Sequence, residues 1–254
     1  MPDLSIVIPF HDEAPCLADL HAELVRVLDG LDLDAELIFV DDGSTDAGPD
    51  LVRELVGRDA RVRLVELTPQ SGQSAALEAG FRAARGAVVA TLDADGQNDP
   101  ADLPALLDGL ATADCVCGVR RPRRDPPGKR IASRVANAVR RRVLGDPFED
   151  IGCSLRVMRA ESLRRVKLFR GGHRFLPWLL VLEGARVIER PVRHRPRLRG
   201  RSKYGLGGRL RATWLDLLGV AWLSRRIDRY EAKELSRRAP PADEPGPPDV
   251  NRRA

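Results

Sequence analysis

Long apolar runs are missing from this chain of 254 residues. The longest apolar region, Trp214 to Leu223, falls short of a bilayer span and contains Asp216. The opening Met1-Pro2-Asp3 leads straight into a strand pattern, without the basic start and apolar core of a secretory leader. Cysteine is scarce. Cys16, Cys115, Cys117 and Cys153 have no ligand-spaced His or Cys beside them, so the composition predicts buried reduced thiols rather than zinc or disulfides, and a reducing, cytoplasmic compartment. No Gly-x-Gly-x-x-Gly follows the first strand pattern and no Gly-Lys-Ser/Thr occurs anywhere, which argues against the dinucleotide fingerprint and the P-loop. Neither sign of charge dominates: the formal net charge is +5. Its distribution is uneven, however, with acidic residues gathered in the first hundred positions and arginines dominating the rest. Such asymmetry points to a surface facing phosphates, lipid headgroups or nucleic acid.

What is present reads as alternating strands and helices. Leu4–Pro9, Glu36–Val40, Val62–Leu67, Val88–Leu92 and Cys115–Val119 have strand character. Helical patterns fall between them at about Ala14–Leu28, up to Val56, across Ser71–Ala84 and from Pro100 onward. That order predicts an α/β domain with a mainly parallel, doubly wound sheet flanked by helices. Three strand patterns end in acid: Asp12-Glu13, Asp41-Asp42 with Asp46, and Asp93-Ala94-Asp95-Gly96-Gln97. Ligands of open α/β sheets sit at these carboxyl ends. Two carboxylates at i and i+2 can converge on one hard divalent cation, but Asp and Gly also make ordinary turns, and the local pattern leaves both readings open. An acidic rim repels bare phosphate. It suits a metal–diphosphate complex, or hydrogen bonds to the hydroxyls of a base, ribose or sugar, and a nucleotide-sugar donor needs both.

Several ordered motifs together carry a resemblance. Ile8-Pro9-x-x-Asp12-Glu13, Asp41-Asp42-Gly43-Ser44-Thr45-Asp46, Gly72-Gln73-Ser74-Ala75-Ala76-Leu77 and Asp93-Ala94-Asp95-Gly96-Gln97 resemble family 2 glycosyltransferases of GT-A fold. Ser133-Arg134-x-Ala136-Asn137, Asp150-x-Gly152-Cys153-x-Leu155-Arg156 and Arg197-x-x-Gly200-x-Ser202-Lys203-Tyr204-Gly205 resemble its polyprenyl-phosphate branch, which includes the dolichol-phosphate mannosyltransferases. The resemblance implies an inverting, metal-dependent transfer of a hexose from a GDP-mannose or UDP-glucose type of donor to a polyprenyl phosphate at the inner membrane face. It implies that Asp93, Asp95 and Gln97 hold Mg²⁺ or Mn²⁺, and that Pro9, Glu13, Asp41, Asp42, Gln73, Asp93 and Ala94 bind the donor. Arg120, Arg130, Ser133, Arg197, Ser202 and Lys203 match acceptor-side positions, with Asp95, Arg120, Arg130, Arg197 and Asp150 at the reaction centre. Asp150 reads as an orienter of arginines or sugar hydroxyls, because a phosphate acceptor needs little base help. His11 and Asp12 depart from the family's aromatic and asparagine. The Gln-x-x-Arg-Trp signature of processive synthases is missing.

The implied division is a GT-A catalytic domain over residues 1–205, with a donor half (1–119) and an acceptor half (120–205), an amphipathic helix at 206–230 and a disordered tail at 231–254. Leu206, Leu210, Trp214, Leu217, Leu218, Ala221 and Trp222 outline an apolar face flanked by arginines, suited to a peripheral position on an anionic membrane, or to packing on the domain, an integral membrane partner or a second copy. His173 and His194 read as structural. Two other readings compete: transfer to a hydroxyl acceptor, which would require a true base, and a non-catalytic donor-binding or membrane-adaptor subunit. Nucleic-acid binding would leave the acidic strand ends unexplained. No residue identifies the sugar.

Overall fold

Leu4–Phe10 is apolar on both pleat phases, the pattern of a strand covered on both faces, and it forms the central β1 with all seven residues buried. The computed structural model describes residues 1–121, 127–196 and 206–227, with 127–134 and 206–213 described as backbone only. After β1 the chain forms α1 (Ala14–Leu28), β2 (Ala35–Asp41), α2 (Gly48–Arg58), β3 (Val62–Glu66), α3 (Gln73–Ala83) and β4 (Val88–Thr91). Then come a 3₁₀ turn at Pro100–Asp102, α4 (Leu103–Gly109), β5 (Cys115–Arg120) and α5 (Pro127–Leu144). β6 (Arg156–Arg159), α6 (Ala160–Leu163), a 3₁₀ turn at Gly172–Phe175, α7 (Leu176–Leu182), β7 (Val187–Val192) and α8 (Leu206–Ser224) complete the described elements.

The strands make one sheet in the order β3-β2-β1-β4-β6-β5-β7. All neighbours are parallel except those of β6, which runs antiparallel to both β4 and β5. The winding reverses between β1 and β4, so the crevice at their carboxyl ends is the topological switch point. The sequence after Cys153 reads as a strand through Met158, and β6 stands there; its antiparallel direction is what the alternating pattern does not reveal.

Alternate residues of the strands feed two cores. Leu4, Ile6, Ile8 and Phe10 pack with Leu17, Leu24, Val52 and Leu106 on one face. Val7, Ile38 and Val40 pack with Leu77, Leu176, Leu180, Leu217 and Val220 on the other. Helix α3 approaches the sheet through Gly80, where a Cβ would lie 2.2 Å from Val7 Cγ1. All four cysteines are buried, with Cys115 and Cys117 sulfurs 3.6 Å apart and no disulfide among the described residues.

Helix α8 ends at Ser224, short of the Tyr230 expected, and its apolar residues divide between two sides. Leu217, Val220 and Ala221 are buried against the second core, whereas Trp214, Leu215, Leu218 and Trp222 are exposed. Trp178 Nε1 donates to Ser224 Oγ at 2.9 Å and fastens the helix end. No helix among the described residues is long and apolar enough to cross a membrane. The tail at 231–254 lies outside the described residues.

Candidate active site

The acidic strand ends first organise one another. Asp12 adopts φ 49°, a left-handed conformation that Asn and Asp tolerate better than most residues. Its Oδ1 accepts from Thr45 N at 2.7 Å, and its own N–H donates to Ser44 Oγ at 2.9 Å. A carboxylate serves this role as an asparagine amide oxygen would, so the departure at Asp12 preserves the loop. Asp46 accepts from Ala14 N and Gly48 N, both at 2.9 Å. Asp41, buried at the end of β2, accepts from Ser44 N at 2.9 Å. Asp42 accepts from Ser71 N at 2.7 Å and Gly72 N at 2.8 Å, fixing the loop that delivers Gln73. Glu13 stands at the N-terminus of α1.

Gln73 Nε2 donates to Asp93 Oδ1 at 2.7 Å. At the end of β4, Thr91 Oγ1 donates to Ser154 O at 2.6 Å, and beyond the strand Asn98 Nδ2 donates to Ser154 Oγ at 2.8 Å. The loop turns at Gly96, φ 73°, with Gln97 N donating to Asp95 Oδ1 at 3.1 Å. Below it opens a cavity of about 290 Å³ whose walls include Pro9, Gln73, Asp93, Gly152, Ser154, Arg156 and His173. Burial, then the like charge of Asp95, pushes the Asp93 carboxyl up to about 6, against the pull of Ser154, Arg156 and Arg120. Ala94 between them is buried.

Asp93, Asp95 and the Gln97 amide offer, within five residues of one loop, the oxygen donors that hard divalent cations take. Among the described residues no three His, Cys, Asp or Glu side chains gather to enclose an ion. A partial protein set completed by diphosphate oxygens and water is how Mg²⁺ is commonly held, so these residues fit Mg²⁺ or Mn²⁺.

Across Gly152 stands an ion pair. Arg120, at the end of β5, donates Nε and an Nη2 proton to the two oxygens of Asp150, both at 2.7 Å, and its backbone N–H reaches Asp150 at 3.2 Å. Asp150 is 4% exposed. A Cβ at Gly152 would sit 3.3 Å from the Arg120 guanidinium. Arg156, also buried, donates to the carbonyls of Ile151 at 2.8 Å and His173 at 3.0 Å. A strap at 193–195 binds the Asp95 loop from outside: Arg195 N donates to Gln97 O at 2.9 Å, and Arg195 also pairs with Asp99 at 2.8 Å and Glu23 at 2.7 Å.

Pro9, Gln73 and Asp93 therefore meet at one cavity, with Asp95 and Gln97 on its loop and the Arg120–Asp150 pair beside it. Asp41 and Asp42 lie farther along the same sheet edge. Arg130 and Ser133 fall on α5 where only backbone is described; Arg197, Ser202 and Lys203 lie outside the described residues. Sequence reading gave no role to Arg156, although it closes the Asp150-x-Gly152-Cys153-x-Leu155-Arg156 motif, and it missed Ser154, Arg195 and the Ser74–His173 contact at 2.8 Å, which no local pattern marks.

A mainly parallel sheet with an Asp-x-Asp loop at its switch point defines the class: this is a GT-A fold. The chain belongs to glycosyltransferase family 2, whose model, Glycosyl transferase family 2, matches residues 5–167. It is 39% identical over 229 residues to the dodecaprenyl-phosphate galacturonate synthase of Rhizobium johnstonii, covering 88% of this chain and 68% of that one. It is 36% identical over 205 residues to the undecaprenyl-phosphate 4-deoxy-4-formamido-L-arabinose transferase of Edwardsiella ictaluri, covering 80% of this chain and 63% of that one. The chain thus spans only part of the length of these curated relatives. Similar solved folds include the mannosyltransferase PcManGT from Pyrobaculum calidifontis in complex with GDP-Man and Mn²⁺ (TM-score 0.61, 23% identity, 91% of this chain and 66% of that one). Another is the glucosyl-3-phosphoglycerate synthase of Mycobacterium tuberculosis with Mn²⁺, UDP-glucose and phosphoglyceric acid (TM-score 0.64, 19% identity, 90% and 81% covered).

Proposed function

We propose that this chain transfers one sugar from a nucleotide-sugar donor to a polyprenyl phosphate at a membrane surface, with inversion and with a divalent cation. The observation that carries the reading is one cavity lined by both Asp93, of the Asp93-x-Asp95 loop, and Gly152, against which the Arg120–Asp150 pair stands. Relatives named as polyprenyl-phosphate sugar transferases support the acceptor class.

Asp95, with Asp93 and Gln97, would hold Mg²⁺ or Mn²⁺ against the donor diphosphate. When bound, the cation supplies Lewis-acid stabilisation of the leaving diphosphate. Gln73 fixes the orientation of Asp93 by its hydrogen bond. Arg120, held by Asp150, binds the acceptor phosphate, with Arg130 and Arg197 as further cationic contributors. An oxygen of that phosphate attacks the anomeric carbon. The new carbon–oxygen bond forms as the bond to the donor diphosphate breaks, and its electron pair leaves with the nucleoside diphosphate. The attacking phosphate is already ionised, since its second pKa is near ~6, so no residue has to remove a proton. Catalysis is positioning plus electrostatics. The exposed face of α8, with Trp214, Leu218 and Trp222 beside exposed Arg225 and Arg226, suits a peripheral position on anionic lipid.

The test is transfer from labelled GDP-mannose, UDP-glucose, UDP-N-acetylglucosamine and UDP-galacturonic acid into organic-extractable undecaprenyl phosphate, with and without a chelator. One donor should label the lipid and the chelator should abolish labelling. Labelling that survives the chelator refutes the metal role, and no labelled lipid with any donor refutes the transfer.

A further inference from the structure

The loop that carries Asp95 and Gln97 is held from outside by the residues that follow β7. Arg195 N donates to Gln97 O at 2.9 Å, and His194 stands opposite Asn98 in an isolated antiparallel bridge. Gln97 is thereby fixed at both of its peptide groups, because its own N–H donates to Asp95 Oδ1 at 3.1 Å. The Arg195 side chain adds a second set of bonds. Nη1 reaches both oxygens of Glu23 on α1, at 2.9 and 2.7 Å, and Nη2 reaches Asp99 Oδ1 at 2.8 Å. Asp99 is buried, and the same oxygen accepts from Ala101 N at 3.1 Å where the 3₁₀ turn begins. One guanidinium therefore ties the exit of the metal loop to α1.

Packing does not do this work on the α1 side of the loop. Between Gly96 and α1 lies a cavity of about 170 Å³, with Pro15, Leu20, Glu23 and Arg195 among its walls. A segment backed by space loses the dispersion contacts that fix a close-packed one. Gly96 itself, at φ 73°, has no side chain with which to anchor the turn. The position of the loop on this side then depends on its hydrogen bonds, and Arg195 supplies them from both its main chain and its side chain.

We propose that Arg195 is a positioning residue for the divalent cation: by clamping Glu23, Asp99 and the Gln97 carbonyl, it holds the Asp95 and Gln97 oxygens where a metal–diphosphate complex can use them. The assignment rests on the metal-dependent reading above. Arg195 acts through the loop, since a guanidinium cannot ligate a cation. The sign of the effect separates positioning from charge. Deleting Arg195 removes a positive charge from beside the loop and leaves Glu23 and Asp99 uncompensated, so electrostatics alone would draw a cation in more tightly. Positioning predicts the opposite.

The experiment titrates the full chain with Mn²⁺ in excess UDP and, separately, GDP, reading free Mn²⁺ from its electron paramagnetic resonance against nucleotide alone. A second measurement follows hydrogen–deuterium exchange of the amides at 96–99 in the metal-free protein. Arg195→Ala should weaken Mn²⁺ binding by about 10- to 100-fold, the usual cost of removing an outer partner of a metal site. It should also speed exchange at 96–99 while β1 and β4 keep their protection. Arg195→Lys keeps the charge but cannot fork between two carboxylates. Its affinity should fall between those of Arg195→Ala and the wild type, and it carries the test if Arg195→Ala does not fold. Unchanged or tighter Mn²⁺ binding in the variants overturns the assignment, and so does weaker binding with unaltered exchange at 96–99. A wild type that binds no Mn²⁺ with either nucleotide overturns the metal-dependent reading, and this assignment with it.

Discussion

Replacing Asp150 by asparagine separates an orienting carboxylate from a catalytic base. Asp150 is buried and both its oxygens accept from the Arg120 side chain at 2.7 Å. Asparagine keeps the shape but removes the charge, and its NH₂ faces a guanidinium donor, so one of the two side-chain bonds becomes a donor–donor contact. Loss of one charge-assisted bond is worth about 1.5–3 kcal/mol. If Arg120 is needed in place at the transition state, that energy corresponds to a fall of roughly 10- to 150-fold in kcat/KM. The assay is labelled-sugar transfer to undecaprenyl phosphate. Because the acceptor is already ionised, the loss should be constant across roughly pH 7 to 9, whereas loss of a general base would steepen the pH dependence.

The double variant sharpens the test. If Asp150 acts only through Arg120, then Asp150→Asn introduced into Arg120→Ala should cost little more than Arg120→Ala alone, since paired residues are non-additive. Additive losses, or activity of Asp150→Asn that climbs steeply with pH, would refute the orienting role and revive a hydroxyl acceptor. Full activity in Asp150→Asn would refute the need for the pair.

Three further outcomes follow from the fold. Gly80→Ala puts a methyl 2.2 Å from Val7 Cγ1 and should lower stability by about 1–3 kcal/mol in urea unfolding; adding Val7→Ala should recover part of the loss, and a neutral Gly80→Ala would mean that α3 is not seated this closely. Asp59 accepts from Arg61, which with its other partners holds the carboxyl down to about 2 from 3.8. Its stabilisation is therefore complete above pH 3.8 and lost as pH falls through about 2, so Asp59→Asn should unfold more readily at neutral pH, by about 1–2 kcal/mol after allowance for solvent, with the difference vanishing in acid. Trp214→Ser with Trp222→Ser removes two exposed rings and should cut binding to anionic phosphatidylglycerol vesicles by about tenfold or more at unchanged thermal stability; equal sedimentation with the vesicles would remove α8 from the membrane reading.

Much of residues 1–119 was legible because the signals there are local. β1 shows its two-faced burial in seven consecutive residues, and Asp93-Ala94-Asp95-Gly96-Gln97 contains its turn glycine and its oxygen donors within five. Asp42 was read as a donor-binding carboxylate; its bracing work could not be read, because it depends on amides at Ser71 and Gly72 in the loop after β3. The cavity walls were illegible for the same reason. Ser74 meets His173 across 99 positions and Thr91 meets Ser154 across 63, and neither contact leaves a period or spacing in the chain. Helix α8 misled through its all-round apolarity: residues at i and i+4 suggested one stripe, but Leu217 and Leu218 point to opposite environments.

The direction of β6 explains why the acidic loop and the arginine side meet at all. β4 and β5 are parallel by their common relation to β6, so both finish at the same edge of the sheet, presenting Asp93 after one and Arg120 on the other. A parallel β6 would be entered from the opposite edge, and the residues before it would lie a strand's length from both. Because β6 runs antiparallel, the segment before it begins at the carboxyl edge. Asp150 then reaches Arg120, Ser154 reaches Thr91 and Asn98, and Arg156 in the first position of the strand pairs opposite Thr91. One reversed strand of four residues therefore brings the segment 150–156 back to the loop after β4 and to the end of β5. Its strand character through Met158 could be read from the sequence, but with only Val157 and Met158 between two arginines nothing in so short a stretch declares its direction.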